Sequence, residues 1–243
     1  MAAAQTESPA MMQCLTRLSD NPSAVLAQAR DWERHGGGVE AGQCGALALL
    51  EMGEAPEAAQ RFDALAASLA AGRPPSPADP HAAQIARLAG QAARAWLLTG
   101  NTIPAEASAH YALSWTPDDL GLRILLAQSQ YDRSDFAASL ATLDRLPERG
   151  ADNATHAYVL RASVHRRLGQ IDAGLQDVAR ALALSPEDVD ALLERGILRA
   201  RHGEMAKARE DWDRVIALSP DTHDAYLARQ DEDVLEADPN QPL

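Results

Sequence analysis

Along this chain, stretches in which apolar residues return every three or four positions are broken by short polar turns, many of them centred on glycine. That is the pattern of amphipathic helices arranged in pairs. The pattern repeats at a spacing of 34 residues. Leu168-Gly169 returns as His202-Gly203, Ala181-Leu182 as Val215-Ile216, and Leu184-Ser185-Pro186 as Leu218-Ser219-Pro220. A fixed period of a few tens of residues marks stacked supersecondary units, each burying its apolar face against the next. Two adjacent repeats are read directly, over 155–188 and 189–222.

Earlier repeats follow from the same landmarks. Thr99-Gly100, Ala105, Ala112-Leu113 and Thr116-Pro117 set a repeat at 86–119. Another fits at 120–154, one residue longer, with Tyr131, Asp135-Phe136 and Leu143 in place, Ser134 where glycine is expected and Pro147 arriving early. Met52-Gly53, Ala58 and Phe62 mark a degenerate repeat at 39–72. Before it, Pro9 to Leu18 and Pro22 to His35 read as a divergent helical hairpin within 1–38, closed by Gly36-Gly37-Gly38. The proline-rich segment 73–85 is expected to be a non-helical linker that interrupts the stack. At the other end, 223–236 reads as a capping helix and 237–243 as a tail.

A large residue near the start, a central glycine, then alanine, an aromatic residue and a closing proline recur in this order. Leu192, Gly196, Gly203, Ala208, Trp212 and Pro220 stand at those places. The pattern resembles the tetratricopeptide-repeat (TPR) family over 86–236 and, more weakly, over 39–72. The resemblance implies an all-α, right-handed superhelix of about five helix-turn-helix repeats, with the divergent hairpin in front and the capping helix behind. It also implies a non-catalytic scaffold that binds a protein or peptide segment, as an assembly or accessory factor. The alternatives are a cytosolic adaptor of the same fold and a structural subunit of a larger enzyme complex. The chain departs from the family pattern at Gly174 and Ser139, where alanine is preferred, and at Val178 and Leu143, where an aromatic is preferred.

Within the repeats a second regularity appears. The seventh and twenty-third positions hold Arg161 and Asp177 in one repeat and Arg195 and Asp211 in the next, whereas 86–119 has Ala92 with Ser108 and 120–154 has Leu126 with Thr142. Charges that come and go together predict a partly buried, structural ion pair between the two helices of a repeat. The Ser-Pro junctions predict that Ser185 and Ser219 cap the following helices, with proline in the first turn and Asp118, Asp119, Glu187 and Asp188 beside the positive end of the helix dipole.

Composition narrows the function. Only 4% of residues are aromatic, 46% are hydrophobic and the formal net charge is -13. Phosphate neutralisation needs a concentrated basic surface, so a nucleic-acid partner is not expected. No stretch approaches the run of about 20 apolar residues that a membrane span requires. Lys207 is the sole lysine, so the positive charge is almost all arginine, which suits bidentate contacts to carboxylates. No cofactor, metal cluster, phosphate-binding glycine loop or nucleophile motif is expected, and the chain does not read as an enzyme.

In TPR proteins the first helices of successive repeats line a concave groove. By that resemblance the groove wall holds Arg87, Gly90, Arg94, Leu97 and Leu98, then Gly121, Ile124, Gln128, Tyr131 and Asp132, then His156, Val159, Ser163, Arg166 and Arg167, then Asp190, Leu193, Ile197, Ala200 and Arg201. One subclass of the family grips a C-terminal carboxylate with lysines and asparagines, and Val159, Ser163, Leu193 and Ile197 do not match it. The expected ligand is an extended or helical segment with apolar anchors and some acidic groups.

Two cysteines, Cys14 and Cys44, are compatible with two buried thiols in the cytosol or with a disulfide. The stretch with Cys14, Asp20-Asn21-Pro22, Trp32, Gly36-Gly37-Gly38 and Cys44 is similar to exported TPR proteins of proteobacteria. That resemblance implies a Cys14–Cys44 disulfide and a periplasmic location, with a cytoplasmic one as the alternative. Met1 to Gln5 has neither a basic nor an apolar leader region, although Ala2-Ala3-Ala4 looks like the small-residue end of a cleavage site.

Overall fold

The computed structural model describes residues 8–144, 146 and 153–237, and for 232–237 the backbone alone. The Ala2–Ala4 motif, Pro147 and all of the tail beyond Ala237 lie outside them. The described residues form thirteen helices and no strand. The chain divides into two compact units, one ending at Arg133 and the other beginning at Ser134.

In the N-terminal unit, α1 (Pro9–Arg17) and α2 (Pro22–Arg34) each carry proline in the first turn, where a missing N–H costs no helical bond. Ser8 Oγ accepts from the Met11 N–H at 3.2 Å and Asn21 Oδ1 from the Ala24 N–H at 3.1 Å, satisfying amides the helices leave open. Next come α3 (Gly38–Glu51), α4 (Ala55–Leu69), α5 (Ala82–Leu98), α6 (Thr102–Trp115) and α7 (Leu120–Asp132), each packed on its predecessor. Alanine makes this close stacking possible: Ala58, Ala66, Ala89, Ala92, Ala105 and Ala112 are fully buried, and Phe62 and Trp115 fill the space the methyl groups leave.

The segment 73–85 differs from its expectation in two ways. Helix α5 starts at Ala82, within it, because the last proline is Pro80 and Asp79 Oδ1 then accepts from the His81 N–H at 2.8 Å. Nor is the stack interrupted. Helix α4 packs directly on α5, where Asp63 of α4 receives Trp96 Nε1 at 2.9 Å and Ser108 Oγ of α6 at 2.8 Å. One apolar core runs from Met11 to Leu122.

The C-terminal unit holds α8 (Phe136–Thr142), α9 (Ala154–Arg167), α10 (Ile171–Leu184), α11 (Val189–Arg201), α12 (Met205–Leu218) and α13 (His223–Ala237). The stretch read as a repeat at 120–154 is thus shared: α7 belongs to the first unit and α8 to the second. The turn between its helices is made by Ser134 at φ 63°, where Gly53, Gly100, Gly169 and Gly203 take φ between 68° and 88° in the other repeats. Glycine adopts this left-handed conformation freely and serine does not.

Small residues let the helices of a pair approach. A Cβ on Gly196 would lie 2.2 Å from Trp212 Nε1, so the indole of α12 packs directly over the α11 backbone. At Gly174, Leu198 of the following repeat occupies the space an alanine methyl would take, with Cδ2 2.9 Å from the ideal Cβ position. The glycine therefore fits a tight contact, and Ala162, Val178 and Leu198 form one buried cluster there.

The capping expectation is corrected. Ser185 and Ser219 end the preceding helices α10 and α12, and Pro186 sits in the turn between α10 and α11. Helices α7 and α11 are capped by Asp119, accepting from Leu122 N–H at 3.0 Å, and Asp188, accepting from Ala191 N–H at 2.9 Å. A carboxylate makes the stronger, charge-assisted bond at the positive end of a helix.

Candidate functional site

In the N-terminal unit, α5 and α7 are the first helices of neighbouring repeats and lie side by side. They approach closely because Gly90 has no side chain; a Cβ there would sit 2.6 Å from Leu122 Cδ2. Between them runs an open groove of about 460 Å³. Ala83, Ala86, Gly90 and Gly121 give it a floor without long side chains, Leu122 and Leu125 add apolar surface, and Arg87 and Arg94 stand on the α5 side. Both arginines are exposed and neither has an ion-pair partner among the described residues. Asp119, which also lines the groove, is engaged in capping α7. Further along α7, Gln128 donates to Asp132 Oδ1 at 2.7 Å, burial raises the Asp132 pKa, and Tyr131 is half-buried.

The C-terminal unit brings α9, α11 and α13 together in the same way, but its face is different. The expected wall of apolar residues and arginines is corrected here. Arg166 is bound to Glu194 of α11 through Nε at 2.7 Å and Nη2 at 3.1 Å. Arg167 lies with its guanidinium 4.7 Å from the centre of the Phe136 ring. Leu193 is buried in the core and Ile197 and Val159 pack half-buried against it, so none of the three is an open anchor. His156 and Arg201 are exposed and Ser163 is half-buried. Carboxylates stand beside them on this face. Partial desolvation, then the neighbouring Asp224 and Asp188, raise the Asp190 pKa, opposed by His156. Burial raises that of Asp231, opposed by Arg166.

Behind these faces the helix pairs are cross-linked by charge. Arg161 of α9 grips Asp177 of α10 through Nε and Nη2, both at 2.7 Å, and also donates to the Leu143 carbonyl at 3.0 Å. Its hydrogen bonds to Asp177 hold the guanidinium pKa above its ordinary value. In the next repeat Asp211 receives Arg195 Nη2 at 2.6 Å and Arg199 Nη1 at 2.7 Å, and both aspartates are 2% exposed. Guanidinium groups occupy both carboxylates, and His165 Nε2 also lies 3.6 Å from Asp177 Oδ2.

The degenerate repeat inverts the arrangement, in a way the spacing rule did not reveal. Its seventh and twenty-third positions are Gly45 and Arg61. Arg61 lies over Gly45, 3.1 Å from where a Cβ would be, donates to the Gly42 carbonyl at 3.3 Å and pairs with Glu33 of α2. In front of it, Cys14 of α1 and Cys44 of α3 form a disulfide, with Cα atoms 6.1 Å apart. Among the described residues no group of three or more His, Cys, Asp or Glu is placed to hold a metal ion, and no helix is long and apolar enough to cross a membrane.

Comparison with known proteins agrees with this architecture. No curated protein matches the chain significantly in sequence. Among solved structures, a tetratricopeptide repeat protein from Parabacteroides merdae aligns with a TM-score of 0.61 at 13% identity, over 91% of this chain and 80% of that one. YrrB, described as a TPR protein with an unusual peptide-binding site, aligns at 0.55 with 20% identity, over 83% and 96%. MamA from Desulfovibrio magneticus aligns at 0.54 with 15% identity, over 84% and 98%. Residues 160–231 match the family model of the tetratricopeptide repeat, and the helical architecture of the chain is the tetratricopeptide-repeat fold.

Proposed function

We propose that this chain is a non-catalytic interaction scaffold that holds a segment of a protein or peptide partner in the groove between α5 and α7. The observation that carries the reading is the pair Arg87 and Arg94, exposed and unpaired beside a floor of alanine and glycine. Elsewhere in the described structure, guanidinium groups such as those of Arg61, Arg161, Arg166 and Arg195 are engaged by carboxylates. In a chain of net charge -13, two arginines left open on a concave face are suited to an external carboxylate. YrrB, which shares the fold, is described as having an unusual peptide-binding site, and that supports peptide binding as a use of this fold.

The disulfide supports placing this scaffold in an oxidising compartment, and we propose the periplasm, where it acts as an assembly or accessory factor. A photo-reactive amino acid at position 94, with a control at the exposed Glu57, tests the binding reading in the source cell. A partner cross-linked at 94 and not at 57 is expected. That partner, once purified, is expected to bind the chain directly and to be lost with Ala83→Trp, which fills the groove from an exposed position. Equal cross-linking at both sites, or binding indifferent to Ala83→Trp, overturns the reading.

A further inference from the structure

We infer that the Cys14–Cys44 disulfide is a site of thiol–disulfide exchange, opened by a dithiol reductant that enters the cleft between α1 and α2. Its reduction releases α1 while the other helices of the unit stay folded. The inference is independent of the groove between α5 and α7.

Helix α1 has little else to hold it. It is 9 residues long, too short for a helix to persist by itself in water, and Met11 and Cys14 are its buried residues. Met12 and Leu15 are exposed. Burying Met11, with Leu18 half-buried beyond the helix end, offsets only part of the entropy lost in ordering the segment. Among the described residues, the side-chain hydrogen bonds that tie this end to other helices are Ser8 to Glu40 and Arg17 Nη1 to Gln28 Oε1 at 3.0 Å, the second of them exposed. The neighbouring helices are anchored differently. Helix α2 buries Val25, Leu26 and Ala29 and is held by the Glu33–Arg61 ion pair, and α3 buries Ala41, Ala46, Ala48 and Leu49 in the core.

The disulfide can also be reached. Helices α1 and α2 leave an open cleft of about 360 Å³, with Ala10 and Gln13 on one side, Gln28 and Trp32 on the other and both cysteines in its lining. Cys14 is the more exposed of the two, at 7% against 3% for Cys44. A thiolate of the dithiol attacks Cys14 Sγ; the new S–S bond forms as the Cys14–Cys44 bond breaks, and Cys44 leaves as a thiolate. The second thiol of the reductant then attacks the reductant's own sulfur in the mixed disulfide and expels Cys14. The dithiol is oxidised to its disulfide by two electrons, and the two protons it gives up end on the cysteines. With the cross-link gone, α1 has only Met11 and two hydrogen bonds to keep it in place.

Dithiothreitol acting on the full oxidised chain tests this, with reduction followed by alkylation and intact mass and with hydrogen–deuterium exchange read along the chain. Reduction in native buffer is expected to outpace global unfolding of the oxidised unit. Ala10→Trp, which fills the cleft from an exposed position, is expected to slow it several-fold. Once the disulfide is reduced, the amides of α1 are expected to exchange about a hundredfold faster, with those of α3 to α5 still protected. Cys14→Ser should reproduce that pattern without reductant, and the protection of α3 to α5 shows that it folds. Reduction no faster than unfolding, a rate indifferent to Ala10→Trp, α1 amides as slow as before, or protection lost throughout the unit overturns the inference.

Discussion

Arg166 of α9 and Glu194 of α11 join the first helices of consecutive repeats by a two-point contact, Nε to Oε1 at 2.7 Å and Nη2 to Oε2 at 3.1 Å. Glu194 is 6% exposed, and the contact turns an arginine of the concave face into part of the repeat interface. Arg161 and Arg195 serve within a repeat and Arg166 serves between repeats, so the C-terminal unit is bound by charge in both directions along the stack.

Removing either partner of that contact leaves the other charge buried. Arg166→Ala or Glu194→Ala is expected to cost about 3 kcal/mol in urea denaturation of the C-terminal unit. The double variant should cost less than the sum by about 1 to 2 kcal/mol. Additive losses would mean that the two side chains act independently.

Ser134 sits in the left-handed region at φ 63°, and Asn153 at φ 66° is the other non-glycine residue there among those described. Ser134→Gly is expected to raise stability by about 1 kcal/mol, the left-handed penalty less the extra entropy glycine loses on folding. Ser134→Val should lower it. A thermal melt of each variant checks the order Gly, Ser, Val.

The disulfide closes a loop across a sequence separation of 30 residues and ties α1 to α3. In the chain-entropy model its reduction removes about 3 to 4 kcal/mol from the unit that contains it. Trp32, Trp96 and Trp115 report on that unit and Trp212 on the other. Denaturation of a Trp212→Phe variant, with and without reductant, is expected to show a large shift. The variant retaining only Trp212 should show little.

Asp190 has a folded-state pKa above the ordinary aspartate value, raised first by desolvation and then by Asp224 and Asp188. A raised acid holds its proton more firmly when folded, so its contribution favours folding at low pH and declines as pH rises through the folded value. At neutral pH the charged form opposes folding, and the α11 dipole is already served by Asp188. Asp190→Asn is therefore expected to raise the melting temperature at pH 7, with the gain vanishing below the ordinary aspartate range. A gain that does not depend on pH would point to another cause.

The helix pairs and their period were legible in the sequence because each repeat must present glycine, alanine and a large apolar residue at the same places to stack on its neighbour. Gly196 with Trp212 shows the rule, one residue giving up its side chain so the other can lie flat. The end of the linker was less legible, since a proline-rich run tells where a helix cannot lie and not how soon the next begins; α5 starts two residues after Pro80.

The open groove was only partly readable. Of the residues assigned to the wall of these two repeats, Arg87, Gly90, Arg94 and Gly121 line it, while Leu97, Leu98 and Ile124 are not among its lining residues. Arg166 and Arg167, at the twelfth and thirteenth places of their repeat, and Leu193, at the fifth, were assigned to the same wall and are otherwise engaged, with Glu194, with Phe136 and in the core.

What the sequence determined by itself was periodic and local: which stretches are helical, where they turn and which faces are apolar, because these depend on neighbours within one or two turns of a helix. What the tertiary structure decided was which charges are spent. Arg61 takes Glu33 across 28 residues and Arg166 takes Glu194 across another 28, while Arg87 and Arg94 find no such partner among the described residues. A charge is neutralised by whatever lies within a few ångströms, and that distance depends on how whole helices pack.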